Sequence, residues 1–166
     1  MQIVGLGSNP KLLFVRAFKQ WKILPDGRWH HLALTWKSPQ REVKLYTAGW
    51  CAFKPWKILP DSRWHHLALT WKSSQGEVKL YTDGVLRIAV LNYANGQIIE
   101  ANGIVAIGND QDSYGGGFLA KDALCGSISL VNIWNKVLPR DVITSLAGKC
   151  GNEAGTAVAW KDFKKV

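Results

Sequence analysis

The sequence predicts an all-β protein, built as an antiparallel sandwich of two sheets with one short helix near the carboxyl end. Short segments of alternating apolar and polar residues recur along the chain. Glycine, proline, asparagine and aspartate separate these segments at short intervals, as turns between short strands require. A strand–turn–strand unit also occurs twice in nearly identical form. Many short strands joined by tight turns are typical of sandwiches.

The repeated unit is WKILPDGRWHHLALTWKSPQREVKLYTAG at residues 21–49 and WKILPDSRWHHLALTWKSSQGEVKLYTDG at residues 56–84. The copies lie 35 residues apart and differ at four positions, which are Gly27/Ser62, Pro39/Ser74, Arg41/Gly76 and Ala48/Asp83. Two units are too few for a solenoid, so the near identity indicates a recent duplication or an error of sequence assembly.

Each copy predicts a β-hairpin. In the second copy, residues 66–71 alternate with the period of a strand, and few are charged, so a central strand covered on both faces is expected. Residues 73–76 have turn chemistry, and residues 77–81 form the returning strand. Asp83-Gly84 signals a further tight turn, because both residues tolerate positive φ.

The two copies compete for one place in the sandwich. We favour the second copy, because it keeps Gly76 in the turn and Asp83-Gly84 at the hairpin end. The first copy has Pro39 and Ala48 where these signals weaken. The alternative is that both copies pack, with the first adding an edge strand.

The remaining pattern predicts further short elements. Before the repeat, residues 11–15 are expected to form a strand. After it, strands are expected at residues 86–91, 97–100, 104–107, 127–134 and 157–160, and a helix at residues 139–146. Pro139 stands near the first position of that helix, where its missing N–H group costs nothing.

Composition argues against several functions. The net charge is +9, but the basic residues are scattered, so nucleic-acid binding is not favoured. There is no Gly-x-Ser-x-Gly motif and no glycine-rich phosphate loop before a helix. A glycosidase needs two carboxylates about 5–10 Å apart, whereas the glutamates here stand alone. We therefore expect no catalysis.

Histidine and cysteine do not form metal-site patterns. His30-His31 and His65-His66 are pairs of adjacent residues, so the two rings of a pair point to opposite faces of a strand. In each pair we expect one histidine in the core and one at the surface. The cysteines are three, Cys51, Cys125 and Cys150, so they cannot all pair with one another, and their spacing does not match that of zinc sites. No apolar run is long enough to span a membrane.

The loop at residues 108–118, GNDQDSYGGGF, is the most specific motif. Asp110 and Asp112 bring carboxylates two residues apart after a strand, Gln111 offers a backbone carbonyl, and Asp122 follows the glycine turn. Calcium takes six to eight oxygen ligands in flexible geometry, so such a loop suits it. The spacing does not fit an EF-hand. A plain polar turn is the alternative.

These motifs resemble the pentraxin family. Its hairpin signature, His-x-Cys-x-Ser/Thr-Trp-x-Ser/Thr, is matched at His66, Thr70, Trp71 and Ser73, with Ala68 in the cysteine place, so the family disulfide is excluded there. In the first copy the matches are His31, Thr35, Trp36 and Ser38, with Ala33 in the cysteine place.

The loop resembles the pentraxin calcium loop, Gly-x-Glu-Gln-Asp-Ser-Phe-Gly-Gly. Asp110 takes the glutamate place, Gln111 and Asp112 match, and Asp122 takes the place of a later ligand. Cys150 and the Ala-Trp-Lys-Asp-Phe ending most resemble the pentraxin domain of a large modular matrix protein.

The resemblance implies a jelly-roll sandwich of the pentraxin and laminin-G type and a non-catalytic extracellular recognition module. It implies Ca²⁺ at Asp110, Gln111, Asp112 and Asp122, and an anionic, glycan or extracellular protein ligand. A laminin-G-like interaction module without metal is the alternative.

The resemblance also bears on the extent of the domain. We expect residues 1–166 to be a single partial pentraxin-like domain, truncated at the amino end, which would lack part of the calcium site. The chain starts without a signal-peptide pattern, so secretion would require a longer parent. A disulfide of Cys150 is expected with a partner outside the chain, and the family's cyclic assembly is not carried over.

Overall fold

The computed structural model describes residues 15–18, 32–37, 42–47, 50–51, 56–57, 64–93, 95–96, 104–109, 116–120, 128–149 and 153–164. Nine strands are described: β1 Val15–Phe18, β2 Leu32–Lys37, β3 Glu42–Thr47, β4 Trp50–Cys51, β5 Trp56–Lys57, β6 Leu67–Lys72, β7 Glu77–Thr82, β8 Val85–Val90 and β9 Ile104–Ile107. The single α-helix of the described residues is α1, Arg140–Ala147. No described helix is long and apolar enough to cross a membrane.

The chain divides into two compact units. One unit holds the second copy of the repeat from residue 62 onward, the strand that follows it, and the described residues from 128 to 164. The other holds the first copy, together with β1, β4, β9, residues 116–120 and β5, which is the start of the second copy. All strand pairs in both units are antiparallel. The mostly-strand architecture with one short helix confirms the predicted fold class.

The hairpin of the second copy, β6-β7, and the following strand β8 form the three-stranded sheet of the first unit. A 3₁₀ turn at Ser73–Gln75 joins β6 to β7, and Gly76 follows it with a φ of 56°. Asp83 and Gly84 then turn the chain into β8 with φ values of 51° and 75°. Two central residues with positive φ match the right-handed twist of the flanking strands. Both predicted turns are confirmed.

The core of this unit covers both faces of β6. Residues 67–70 are all buried, which confirms the expectation of a covered strand. One buried cluster contains Ala68, Tyr81, Leu138 and Ile143, with Leu86, Trp134 and Leu146 packed against it. On the opposite face of the sheet, Leu67, Val78 and Leu80 are also fully buried. Glu77 and Lys79 alternate with these apolar residues along β7. Their side chains form an ion pair, with the Lys79 Nζ 2.7 Å from the Glu77 Oε2.

Helix α1 closes the Tyr81 side of this sheet. It begins after Pro139, one residue later than predicted, and extends one residue further. Ile143 is completely buried, because it is the residue that α1 contributes to the core cluster. Thr144 fastens the helix to the hairpin, since its hydroxyl donates to the carbonyl oxygen of Gly84 at 3.1 Å.

The predicted strand at residues 127–134 is wrong for the described part, residues 128–134. Leu130 has a φ of 57°, which breaks an extended strand. Only an isolated bridge joins Ile133 to Val158. Buried Asn132 replaces the ladder with side-chain bonds, because its Oδ1 accepts the N–H groups of Gly155 and Trp160, both at 3.1 Å.

The predicted last strand, residues 157–160, is likewise reduced to the single bridge at Val158. The chain instead enters a 3₁₀ turn at Trp160–Asp162. The Asp162 carboxylate caps that turn by accepting the Ala159 N–H at 2.7 Å. A local cap competes with strand pairing here, and an alternating pattern of four residues does not reveal it.

The first copy forms a hairpin with the same register as the second, because Leu32 pairs with Thr47 as Leu67 pairs with Thr82. The third strand differs. In the second copy, β7 pairs with five of the six residues of β8, with a shift of register between Leu80 and Tyr81. In the first copy, β3 pairs with the two short strands β4 and β5. The predicted strand at residues 11–15 shares only Val15 with β1.

Candidate calcium loop

The loop that carries the predicted calcium residues follows β9. This strand pairs with β1, with Ile107 opposite Val15, and Gly108 follows its last residue. Gly108 and Gly117 have φ values of 89° and 74°. These angles lie in the left-handed region, where side chains with a Cβ are strained. The two glycines therefore turn the chain at both ends of the loop.

One side chain connects the two ends of this loop. The Nδ2–H group of Asn109 donates a hydrogen bond to the carbonyl oxygen of Leu119 at 3.2 Å. The Oδ1 atom of Asn109 is buried, and no donor of the described residues reaches it. Residues 109 and 119, near the two ends of the loop, are therefore close enough for one side chain to join them.

The predicted ligands themselves, Asp110, Gln111, Asp112 and Asp122, lie outside the described residues. Within the described part of the chain, no group of three His, Cys, Asp or Glu side chains could hold a metal. The donor set fits a hard cation by its chemistry, because it consists of three carboxylates and a carbonyl. The buried, unmatched oxygen of Asn109 beside Asp110 adds to the oxygen-rich character of this region.

The sequence pattern did not reveal the contact between Asn109 and Leu119. The sequence signal for such a contact is the asparagine itself, because its side-chain amide often forms hydrogen bonds to nearby backbone groups in turns. That signal does not identify a partner ten residues away.

A second polar group lies where β7 turns into β8. The Asp83 Oδ1 accepts the backbone N–H of His66 at 2.9 Å, and its Oδ2 lies 2.9 Å from the His65 Nδ1. One histidine of the pair, His66, is buried, as predicted. The other, His65, is expected at the surface, but its side chain is only 14% exposed. Burial lowers the pKa of His66 below its ordinary value of 6.5, and the Asp83 charge opposes this change. The arrangement holds the turn together.

Comparison with known proteins settles the family. The family model described as the Pentaxin family matches residues 51–165. The chain belongs to the pentraxin family. The match begins after the first copy and contains the whole second copy.

Several known proteins are similar to this chain in sequence. The chain is 38% identical over 140 residues to sushi, von Willebrand factor type A, EGF and pentraxin domain-containing protein 1 of Rattus norvegicus, covering 83% of this chain and 3% of that protein. It is 34% identical over 162 residues to neuronal pentraxin-2 of Cavia porcellus, covering 96% of this chain and 30% of that protein. The chain thus spans a small part of these relatives, and its predicted resemblance to the pentraxin domain of a large modular protein is confirmed.

A solved structure shows the same fold. The native heptameric SAP-like pentraxin from Limulus polyphemus superposes with a TM-score of 0.69 at 20% identity. The superposition covers 99% of this chain and 81% of that chain. This confirms the predicted jelly-roll fold.

Proposed function

We propose that this pentraxin chain is a non-catalytic extracellular recognition module that binds its ligand with the help of calcium. The observation that carries the proposal is the family match over residues 51–165, which contains the carboxylate-bearing loop. The described frame of the loop supports it, because Gly108, Gly117 and the bond from Asn109 to Leu119 bring its ends together.

In this proposal, the carboxylates of Asp110, Asp112 and Asp122 and the backbone carbonyl of Gln111 hold the calcium ion. When bound, the ion supplies a site of positive charge to which an anionic group or a glycan hydroxyl can bind. About four protein oxygens fall short of a full calcium shell, so binding near the millimolar range of extracellular modules is expected.

Charge favours a cation at this loop. Between residues 104 and 134 the acids are Asp110, Asp112 and Asp122, and the single base is Lys121. The chain as a whole carries +9, so the loop is a local acidic region in a basic protein. A divalent cation would neutralise the carboxylate repulsion and leave an outer face that attracts anions.

The remaining functional expectations belong to the same proposal. Residues 1–166 act as a single partial pentraxin-like domain, with the duplication of residues 21–49 and 56–84 inside it. It works outside the cell, as part of a longer protein, and an oxidising environment there permits a disulfide of Cys150. Its partner is an anionic or glycan ligand or an extracellular protein, and its role is binding without catalysis.

A calcium-dependent thermal shift tests the proposal. The melting midpoint of the full chain should rise when EDTA is replaced by 10 mM calcium, and magnesium at the same concentration should do less. Capture on a sulfated-glycan or phosphate-bearing resin should then occur in calcium and not in EDTA. If the midpoint is unchanged and any ligand is captured equally in EDTA, the metal-free laminin-G-like module is the better description.

A further inference from the structure

Asn109 stands at the start of the calcium loop, and its side chain spans the loop. Its Nδ2–H bond to the Leu119 carbonyl joins residues that flank a segment of nine. That segment contains Asp110, Gln111 and Asp112. A bond across its ends restricts the segment before any ion arrives, so less conformational entropy is lost when the carboxylates gather around the ion.

The Asn109 side chain does not have the features expected of a residue that only stabilises the fold. Its Oδ1 is buried, and no donor of the described residues reaches it. A buried acceptor without a partner costs free energy that an apolar side chain of similar size avoids. Leu119 is 43% exposed, so water can hydrate its carbonyl when Asn109 is replaced. Leucine at position 109 should therefore not destabilise the calcium-free fold.

The geometry points to Asn109 as a positioning residue of the calcium loop, which acts through its amide N–H donor. The inference rests on the proposed function and deepens it by naming the group that preorganises the ligands Asp110 and Asp112. Groups that orient metal ligands without touching the metal typically change affinity 10–100-fold when they are removed.

Calcium titration of three full-length variants tests this role. Asn109→Leu removes the donor and the oxygen, and Asn109→Asp keeps oxygen atoms but removes the donor. Asn95→Leu is the control, because Asn95 is an exposed residue in a turn outside the loop. We expect both Asn109 variants to raise the calcium Kd about tenfold or more, and the control to leave it unchanged.

Two measurements in EDTA separate positioning from general stability. The melting midpoint of Asn109→Leu should equal or exceed that of the wild type, because the buried acceptor is gone. Limited proteolysis should cut the variant faster within residues 110–118, because the loop has lost the bond that closes it.

Each other outcome overturns the inference. An unchanged calcium Kd in Asn109→Leu, beside a wild type that binds, would refute the role of Asn109 and leave the proposed function standing. Calcium binding by Asn109→Asp as tight as that of the wild type, in salt that screens the added charge, would show that the amide donor is not needed. A lower midpoint in EDTA that accounts for the weaker binding would make Asn109 a structural residue. A wild type that binds no calcium would overturn the inference together with the proposed function.

Discussion

At the scale of single residues, Asp83 distinguishes the second copy of the repeat from the first. Its backbone N–H donates to the His66 carbonyl at 2.8 Å, and its carboxylate accepts the His66 N–H and contacts the ring of His65. It does this with a φ of 51°, a conformation that aspartate tolerates better than alanine. The first copy has Ala48 at the corresponding position.

Replacing Asp83 with alanine should destabilise the chain by about 2 kcal/mol. The variant loses two side-chain bonds and strains a left-handed residue. Urea unfolding followed by tryptophan fluorescence measures the change. Asp83→Asn is the control, because asparagine tolerates positive φ and still offers Oδ1 to the His66 N–H. It should lose less than half as much, and equal losses would show that the negative charge carries the effect.

His66 should make stability depend on pH. Burial lowers its pKa in the folded state below the ordinary 6.5, so the unfolded chain binds the proton more readily. The stability due to His66 is therefore fully present above pH 6.5 and is lost as the pH falls below it toward the folded pKa. Between about pH 7.5 and 5.5, the unfolding free energy should fall more in the wild type than in His66→Asn. Parallel curves would contradict this origin.

At the scale of elements, the turn between β6 and β7 depends on a residue without a side chain. A Cβ placed on Gly76 would lie 2.6 Å from the backbone nitrogen of Tyr93. The segment after β8 returns to this turn, where the Tyr93 N–H donates to the Gly76 carbonyl at 2.8 Å and the Tyr93 carbonyl accepts the Trp71 Nε1–H at 3.2 Å. The first copy has Arg41 in the place of Gly76.

Gly76→Arg, which copies the first repeat into the second, should cost about 2 kcal/mol or more. The φ of 56° strains any residue with a Cβ, and the close backbone leaves no room for one. The matched control is Gln75→Arg, which adds the same side chain at an exposed position of the same turn. Chemical denaturation should show little change in the control. Similar losses in both variants would mean that added charge, rather than backbone geometry, destabilises the turn.

Elements that are fixed by local chemistry could be predicted from the sequence. The hairpin of the second copy follows from the period of residues 66–71 and from the turn residues Gly76 and Asp83-Gly84. Helix α1 follows from Pro139, which stands next to its first residue. The segment at residues 128–134 could not be predicted, because its conformation depends on bonds from Asn132 to Gly155 and Trp160, more than twenty residues away.

At the scale of the whole molecule, the sequence identifies the family and the carboxylates of the loop, whereas the structure adds how the loop is closed. Asp110 and Asp112 can be read from a motif, since calcium chemistry requires oxygen ligands at short spacing. The bond from Asn109 to Leu119 and the burial of Oδ1 depend on packing, which periodicity does not encode. The family match covers the second copy and starts beyond the first.

Calcium calorimetry on the full chain tests the central claim most directly. The wild type should bind calcium saturably, with a Kd near the millimolar range, and Asp110→Asn/Asp112→Asn should abolish binding. Asp141→Asn/Glu153→Gln is the control, because it removes the same charge from two exposed residues outside the loop and should bind as the wild type does. Binding that survives loss of Asp110 and Asp112, or disappears equally in the control, would contradict a calcium site in this loop.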